Sequence, residues 1–335
     1  MFNTIQIYEF PKIVGQEETK FQVNSALLSG RNIILVGPPG VGKTTLAKNV
    51  AETLPELTLN TCSFHCDPNN PLCPKCKTKN QEKKIIKGFE RFMRIQGSPD
   101  LTVEDLFGDI DPIKALQFGP LSTEAFTPGK IFKANHGVLF FDELNRCPEK
   151  LQNALLQVLE EKKVTIGSYD IDFPANFIFI ATMNPDDFTG TEKLSEVLLD
   201  RFDMIYLDYP KTTESEIEIL KKSGKNLNIN FPENLMIHMT VFVRSLRENK
   251  DLERVPSVRA TIGLYERAQS NALLENKKIV SLKNIQDAIF SVLVHRIKLK
   301  PSLKYLKTPE NFIHKQFKDY CRDHNLAINE PGDAG

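Results

Sequence analysis

The sequence predicts an α/β domain with a parallel sheet and a glycine-rich loop, followed by a domain made of helices alone. Residues 37–44 read Gly-Pro-Pro-Gly-Val-Gly-Lys-Thr, and they lie between an apolar β-branched run and a run that suits a helix. Apolar strand-like runs alternate with helical patterns up to about Pro210, and only helical patterns follow it. We therefore predict a core over 1–210, a helical lid domain over 211–300 and a partly disordered C-terminal extension over 301–335.

Composition sets the broad class of the protein. The chain has 335 residues, enough for two packed domains, and 41% hydrophobic with 26% charged residues is ordinary for a soluble protein. Lysine plus arginine equals aspartate plus glutamate at 43 each, so net charge gives no general attraction to nucleic acid or anionic membrane. No apolar run approaches the roughly 20 residues of a membrane span, and the N-terminus lacks a signal-peptide pattern. We expect a cytoplasmic protein.

Short apolar runs predict the strands of the core, and helical spacing predicts the helices. The expected strands are 33–36, 92–95, 138–141, 177–181 and 204–207. The expected helices are 17–28, 45–54 and 151–161 in the core, then 212–224, 232–249, 257–275 and 281–297 in the lid. Residues 164–173 alternate around a Gly-Ser pair and predict a hairpin. Residues 55–90 form an irregular insertion rich in cysteine and lysine, and residues 98–136 show no long periodicity.

The glycine-rich loop has the composition of a nucleotide phosphate site. Glycines let backbone N–H groups surround an anion, and the following helix adds its N-terminal partial charge. Lys43 would reach the β- and γ-phosphates of ATP, and the Thr44 hydroxyl would bind Mg²⁺. The strand before the loop and the helix after it disfavour a chance turn. The residues predicted to contact the nucleotide here are Gly37, Pro38, Pro39, Gly40, Val41, Gly42, Lys43, Thr44 and Thr45.

Two later strand ends supply polar residues suited to ATP hydrolysis. Asp142 and Glu143 follow four large apolar residues, and Asn184 follows the run 177–181. Polar residues at the carboxyl ends of parallel strands face the ligand crevice. Asp142 would hold Mg²⁺, Glu143 would act as general base on the attacking water, and Asn184 would hydrogen-bond that water or the γ-phosphate. The alternatives are a surface acidic pair and a simple Asn-Pro turn.

The order of these motifs resembles that of AAA+ ATPases. The loop, the Asp142-Glu143 pair and Asn184 are followed by Leu-Leu-Asp-Arg-Phe-Asp at 198–203. The segment 129–137, Gly-Lys-Ile-Phe-Lys-Ala-Asn-His-Gly, and the segment 256–261, Pro-Ser-Val-Arg-Ala-Thr, resemble the MoxR and magnesium-chelatase subunit I branch. The resemblance covers about residues 13–294. It implies an AAA+ core with a P-loop, followed by an all-α lid.

The resemblance also implies roles for single residues. Asn184 matches sensor 1, and Arg201 matches an arginine finger that acts on the neighbouring subunit's nucleotide. Arg259 matches sensor 2, which contacts the γ-phosphate in cis. Val14 and Gly15, with the glutamine after them, match the lining of the adenine pocket. For either arginine, an ordinary surface ion pair is the alternative from the residues alone.

The family works as a homo-oligomeric ring, usually of six subunits. Members of the MoxR and magnesium-chelatase subunit I branch carry two projecting insertions, which would fall at about 109–130 and 163–174 in this chain. The implied function is an ATP-driven motor or chaperone that remodels a client protein together with a partner carrying a von Willebrand A (VWA) domain, with metal or cofactor insertion as one outcome. The client itself is not indicated by the sequence.

Four of the six cysteines form a cluster typical of a metal site. Cys62, Cys66, Cys73 and Cys76 fall within fifteen residues, a density that favours metal binding over disulfides in a reducing compartment. Four thiolates would close a structural Zn²⁺ site, and His65 could replace one of them. An iron–sulfur cluster or four free thiols remain alternatives. Six lysines follow between 75 and 87, which suits a solvated face or, less favoured, a nucleic-acid or partner patch.

Two other functions compete with client remodelling. A DNA-acting AAA+ motor would use the cysteine-rich loop and its lysines, although the neutral net charge counts against it. A scaffold that binds ATP without hydrolysing it would not need Glu143, Asn184 and Arg201 together.

Overall fold

The computed structural model describes residues 7–71, 73–78, 81–119, 122, 124–161, 176–184 and 194–326. The chain divides into two compact units, one of Met1–Pro38 with Gly42–Leu207 and one of Pro39–Val41 with Asp208–Gly335. The division after Leu207 lies close to Pro210, where the domain boundary was predicted. The hairpin predicted over 164–173 falls outside the described residues, and so does the chain from 327 onward.

The first unit combines short helices with nine strands in its described part. Its helices are α1 Glu17–Leu28, α2 Lys43–Glu52, α3 Pro74–Thr78, α4 Val103–Phe107, α5 Pro112–Phe118, α6 Lys130–Lys133, α7 Glu149–Glu161 and α8 Glu196–Leu199. Its strands are β1 Asn32–Val36, β2 Leu57–Asn60, β3 Lys83–Ile86, β4 Phe92–Gln96, β5 Gly108–Ile110, β6 Phe126–Pro128, β7 Val138–Asp142, β8 Ile178–Met183 and β9 Phe202–Tyr206.

A five-stranded sheet in the order β4-β7-β8-β1-β9 forms the centre of this unit. Every neighbouring pair in it is parallel. Four residues of β1, Ile33 to Val36, are at most 2% exposed, as both faces of a parallel sheet are covered. All five predicted strands are present. Because the strands are parallel, the segments that follow β7, β8 and β1 emerge side by side at one edge.

Two small antiparallel pairs were not predicted. Strand β2 pairs with β3 across the cysteine-rich insertion, and β5 pairs with β6 within residues 98–136. Strand β3 reads Lys-Lys-Ile-Ile and buries only its last residue, so it lacks the alternation that predicts a half-buried strand. The predicted insertion over 109–130 thus contains β6, the end of β5 and the seven-residue helix α5.

The second unit is mainly helical. Its elements are α9 Thr213–Ser223, α10 Glu233–Arg247, β10 Leu252–Arg254, α11 Val258–Leu274, α12 Leu282–Leu293, β11 Lys298–Leu299, α13 Pro301–Lys304 and α14 Pro309–Asp323. The four predicted lid helices are present, and one short antiparallel pair, β10 with β11, accompanies them. Helix α14 buries four side chains in the same core as α10 to α12, namely Phe312, Ile313, Phe317 and Cys321. Part of the predicted extension 301–335 therefore belongs to the folded unit.

Candidate functional site

The glycine-rich loop leaves the carboxyl end of β1 and enters α2 at Lys43. Gly40 and Gly42 have φ values of +80° and +100°, in the left-handed region that favours glycine. A Cβ built on Gly37 would lie 2.3 Å from the backbone oxygen of Leu207, which is too close for any side chain. The loop conformation therefore requires glycine at these positions, and it directs the helix N-terminus toward the edge of the sheet.

Lys43 lies on the inner side of this loop. Its Nζ donates hydrogen bonds to the backbone oxygens of Gly37 and Pro38, the second at 3.1 Å. The ammonium group is thus held where the curved backbone surrounds it. Thr44 follows in the first turn of α2 and is half-buried. A cation and a hydroxyl at a helix N-terminus suit a phosphate chain with a bound divalent cation, so the residues present fit Mg-ATP.

The acidic pair lies at the end of β7, one strand away from β8 and two from β1. The hydroxyl of Thr182, a residue only 1% exposed, donates to Asp142 Oδ1 at 2.6 Å and accepts from the backbone N–H of Glu143 at 2.9 Å. Glu143 has a φ of +58°, a left-handed conformation that is uncommon for a residue with a side chain. Such backbone outliers cluster at functional sites, and here Thr182 helps to hold the outlier in place.

Strand β4 supplies further partners to both carboxylates. Arg94 pairs with Asp142 Oδ2 at 2.6 Å, and Gln96 donates to Glu143 Oε2 at 2.8 Å. Arg146 pairs with the same Glu143 oxygen at 3.2 Å. Each carboxylate is therefore oriented by at least two groups. The sequence indicated none of these partners, and those on β4 depend on the register between β4 and its neighbour β7 and not on a local pattern.

Asn184 follows β8, the strand between the acidic strand and the loop strand. The backbone N–H of Gly37 donates to the Met183 oxygen at 3.3 Å, so the start of the loop and the end of β8 are bonded. Asn184 is half-buried beside that bond. In the sheet order, the segment that carries Asn184 therefore lies between the segments that carry Lys43 and Glu143. This position suits a residue that contacts the γ-phosphate or its water.

The N-terminal segment reaches the same edge. A Cβ built on Gly42 would lie 3.8 Å from Cδ1 of Ile13, and the Thr19 hydroxyl donates to the Tyr206 oxygen at 3.1 Å. Val14 and Gly15 lie between these two contacts, and Gly15 has a φ of +63°. The predicted adenine-lining residues therefore lie next to the loop.

Arg201 lies elsewhere in the unit. It precedes β9 at the amino end of that strand, whereas the loop follows the carboxyl end of the parallel strand β1. Its guanidinium pairs with Glu160 of α7 and, at 3.0 Å, with Asp200. Arg259 belongs to the second unit and occupies the first turn of α11. The structure thus brings Lys43, the acidic pair and Asn184 together within the first unit.

The four clustered cysteines converge on one point. The sulfur atoms of Cys62, Cys66, Cys73 and Cys76 all lie within 4.8 Å of one another. Zinc–sulfur bonds of about 2.3 Å in a tetrahedron require sulfurs about 3.8 Å apart, so a small contraction would complete the geometry. The backbone N–H groups of Cys66 and Cys73 point at the sulfurs of Cys62 and Cys66, at 3.3 and 3.4 Å. This arrangement fits a four-thiolate metal site, and the four sulfurs complete it without His65.

Hydrogen bonding and burial distribute the protons of the cluster unevenly. The Cys66 side chain hydrogen-bonds the Cys62 sulfur and lowers the pKa of Cys62 to about 4. Burial, followed by the hydrogen bond with Cys73, raises the pKa of Cys76 to about 12. A thiolate at Cys62 is the form that binds metal. Hydrogen bonding within the cluster thus favours the thiolate at Cys62.

The cluster is also part of the core of the first unit. Phe64, between the first two cysteines, packs against Phe132 of α6 with ring centroids 5.2 Å apart. Asn135 donates from Nδ2 to the Phe64 oxygen at 3.2 Å, and its Oδ1 accepts from the backbone N–H of Asn176 just before β8. Folding of the cysteine loop is thus coupled to the packing of the central sheet.

Comparison with known proteins agrees with this geometry. Three family descriptions match successive parts of the chain: "Magnesium chelatase, subunit ChlI" over residues 9–67, "ATPase family associated with various cellular activities (AAA)" over 69–204 and "AAA lid domain" over 249–315. A magnesium-chelatase subunit ChlI homolog of Methanocaldococcus jannaschii is 27% identical over 88% of this chain and 87% of its own length.

Other relatives share the core. The chloroplast magnesium-chelatase subunit ChlI-2 of Arabidopsis thaliana is 33% identical over 59% of this chain, but the match spans only 48% of that protein. Among solved structures, a complex of subunits BchI and BchD of magnesium chelatase has a chain that matches with a TM-score of 0.50 and 20% identity, over 89% of this chain and 98% of that one. A point mutant of RuvB from Thermotoga maritima matches with a TM-score of 0.50 and 17% identity, over 95% and 81%. These two structures show the shared fold.

A parallel sheet with a glycine-rich loop and an acidic strand end, followed by a helical lid, defines an AAA+ protein. The family matches cover both units. The chain is an AAA+ protein, and over most of its length it is similar to magnesium-chelatase subunit I. Within the described part of the chain, none of the helices has the length and apolarity needed to cross a bilayer.

Proposed function

We propose that the protein is a Mg²⁺-dependent ATPase that uses hydrolysis to remodel a client protein. The observation that carries this proposal is the bonded arrangement of loop, Asn184 strand and acidic pair on three adjacent strands. Lys43 would bind the phosphates, Asn184 would orient the γ-phosphate or its water, and Glu143 would take the proton from that water. Gln96 and Arg146 hold the Glu143 carboxylate for this task.

Thr44 and Asp142 would hold Mg²⁺. Bound there, the cation would neutralise charge on the phosphate oxygens. Arg94 and Thr182 fix the Asp142 carboxylate, so the oxygen ligands are oriented by the protein itself. Arg259 keeps its proposed role as a sensor of the γ-phosphate.

Replacing Lys43 by alanine tests this function. We expect ATP turnover to fall at least about 10²-fold, because a charged donor to the phosphates is lost. Lys48→Ala is the matched control, since Lys48 lies on the same helix with its side chain exposed, and it should retain turnover. The measurement is phosphate release with Mg²⁺ and with EDTA. Equal rates for Lys43→Ala and wild type would overturn the proposal.

We also propose a homo-oligomeric ring, of six subunits as in the family, working in the cytosol with a VWA-domain partner. Support comes from the similarity to a chain found in a BchI–BchD complex and from relatives named as magnesium-chelatase subunits. None of the six cysteines, all of which lie in the described part of the chain, forms a disulfide, as suits a reducing compartment. Metal or cofactor insertion is one activity that such an assembly would power.

The cysteine cluster would hold a structural zinc ion. The convergence of four sulfurs in a partly buried loop supports zinc over four free thiols. Binding would contribute on the order of 10 kcal/mol to the folding of this segment, by analogy with small zinc sites. The same ion would stabilise the contact of Phe64 with the core.

Cys73→Ser should abolish this site. We expect loss of about one bound zinc per chain and a fall in thermal stability, because the loop would lose both its metal and its packing. Metal content by mass spectrometry and the unfolding temperature are the measurements. Cys321→Ala is the control, since Cys321 is buried in the second unit, away from the cluster in sequence and unit. Zinc retained in Cys73→Ser, or a visible iron–sulfur absorption in wild type, would contradict the assignment.

A DNA-acting motor is the second candidate. Strand β3 and the segment that follows it expose Lys83, Lys84 and Lys87, together with Phe89, which is 56% exposed. Basic residues beside an exposed ring suit a nucleic-acid strand. Stimulation of ATP turnover by DNA that falls steeply with salt would favour this function over client remodelling.

A further inference from the structure

A buried carboxylate organises the second unit. Glu216 of α9 is fully buried, and Arg247 of α10 pairs with both of its oxygens at 2.6 Å. The hydroxyl of Thr261, also fully buried, donates to Glu216 Oε1 at 2.6 Å, and Arg244 pairs with Oε2 at 3.4 Å. A buried charge is costly unless it is paired and hydrogen-bonded, and these three groups supply that pairing.

The two arginines also bind backbone at two separate places. Arg244 donates to the oxygens of Pro210 and Lys211 at 2.7 and 2.8 Å, where the chain enters the second unit. Arg247 donates to the Pro256 oxygen at 2.8 Å, just before α11, and its guanidinium lies 4.9 Å from the ring centre of Tyr209. One carboxylate therefore connects the entry segment 209–212 with the start of α11.

The start of α11 carries Arg259. The first turn of the helix is bonded at both ends to the network, through the Pro256 oxygen before it and the Thr261 hydroxyl after it. Arg259 lies between these two anchors. Its backbone position is therefore set by Glu216 and Arg247, which come from different helices.

Stability alone gives little reason for this arrangement. Well-packed apolar residues often replace a buried ion pair with no loss of stability, whereas ion pairs and hydrogen bonds fix one geometry. A bidentate arginine–carboxylate pair is directional in this sense. Its charge and geometry thus suit a positioning role better than a packing role.

We infer that Glu216 and Arg247 are positioning residues for Arg259, and that they join the start of α11 to segment 209–212 as one rigid body. This inference rests on the proposed function, since it takes Arg259 to contact the nucleotide. A change in the contacts of Arg259 would then be passed directly to the segment that connects the two units in sequence. Glu216, Arg247 and Thr261 would act through Arg259 without contacting the nucleotide themselves.

A double-mutant cycle tests the inference. Glu216→Gln keeps the shape and removes the charge, and Thr261→Val removes only one hydroxyl. We expect each to lower ATP turnover, Glu216→Gln by about tenfold, and to have less than about a twofold effect when Arg259 is already alanine. Hydrogen exchange should become faster in both 209–212 and 256–261, and Glu218→Gln, an exposed carboxylate on the same helix, should change neither readout.

The outcomes distinguish a failure of this inference from a failure of the proposed ATPase function. Equal effects of Glu216→Gln with and without Arg259 would show a general structural role and overturn the inference. Wild-type turnover in Arg259→Ala would overturn it as well, while the Lys43→Ala assay would still decide whether the protein is an ATPase. If Glu216→Gln does not fold, Thr261→Val carries the same test, and its failure to couple with Arg259→Ala would be decisive.

Discussion

Glu143→Gln is expected to lower kcat for ATP hydrolysis by roughly 10³-fold while nucleotide binding stays near the wild-type level. The amide keeps the size of the side chain and can still accept from Gln96, but it cannot take a proton from water. The left-handed backbone of residue 143, bonded through Thr182, should persist because it does not depend on the carboxylate. Single-turnover hydrolysis and equilibrium binding of ATP, measured on the same preparation, separate the two effects.

Glu149→Gln is the matched control for this experiment. Glu149 is an exposed carboxylate in the first turn of α7, a few residues after Glu143, and its replacement should leave turnover unchanged. If wild type hydrolyses ATP as slowly as Glu143→Gln in the assembled state, the scaffold hypothesis is supported instead. If Glu143→Gln retains wild-type turnover, Glu143 is not the general base.

The parts of the site that could be predicted are local in sequence. The loop with Lys43 and the Asp142-Glu143 pair each depend on a few consecutive residues and on the apolar run before them. Parallel strands then bring their carboxyl ends together without further information. For this reason the three strand ends, which are about forty or more residues apart in sequence, could be expected at one edge before the fold was known.

The partners of the carboxylates depend on register instead. Gln96 lies opposite Asp142 in the pairing of β4 with β7, and Thr182 reaches the acidic pair from the next strand. A sequence gives no register between strands separated by tens of residues, so these contacts were not found. Arg94 is a clear case, because an arginine in an apolar strand would otherwise be assigned to the surface.

The cysteine loop has one feature that follows from local sequence and one contact that depends on the fold. The spacing of the four cysteines predicted their convergence, since short loops leave the sulfurs few other arrangements. The contact of Phe64 with Phe132 is set by the fold of residues about seventy positions later, and no local pattern indicates it. The helix Pro309–Asp323 was missed for a different reason. Its apolar residues have helical spacing, but the predicted lid ended before it.

Arg201→Ala should lower ATP turnover of the assembled protein by roughly 10³-fold or more, if the residue acts as an arginine finger. Within one subunit Arg201 lies at the amino end of β9, and its neighbour Phe202 pairs with Asn32 at the start of β1. The loop begins after Val36, four residues further along, or about 13 Å at the usual strand rise. A contribution to the nucleotide of a neighbouring subunit therefore suits this position better than a contribution in cis.

Mixing two inactive variants distinguishes these possibilities. Arg201→Ala subunits keep Lys43, and Lys43→Ala subunits keep Arg201, so in a random equal mixture about a quarter of head-to-tail interfaces would combine the two intact residues. Turnover should then recover to a clear fraction of wild type, with a maximum near equal amounts. Arg31→Ala is the control, because Arg31 is an exposed arginine paired with Asp203 at 3.0 Å, and its loss should leave turnover intact. No recovery at any ratio, with assembly unchanged by light scattering, would leave Arg201 as a structural partner of Glu160 rather than a finger.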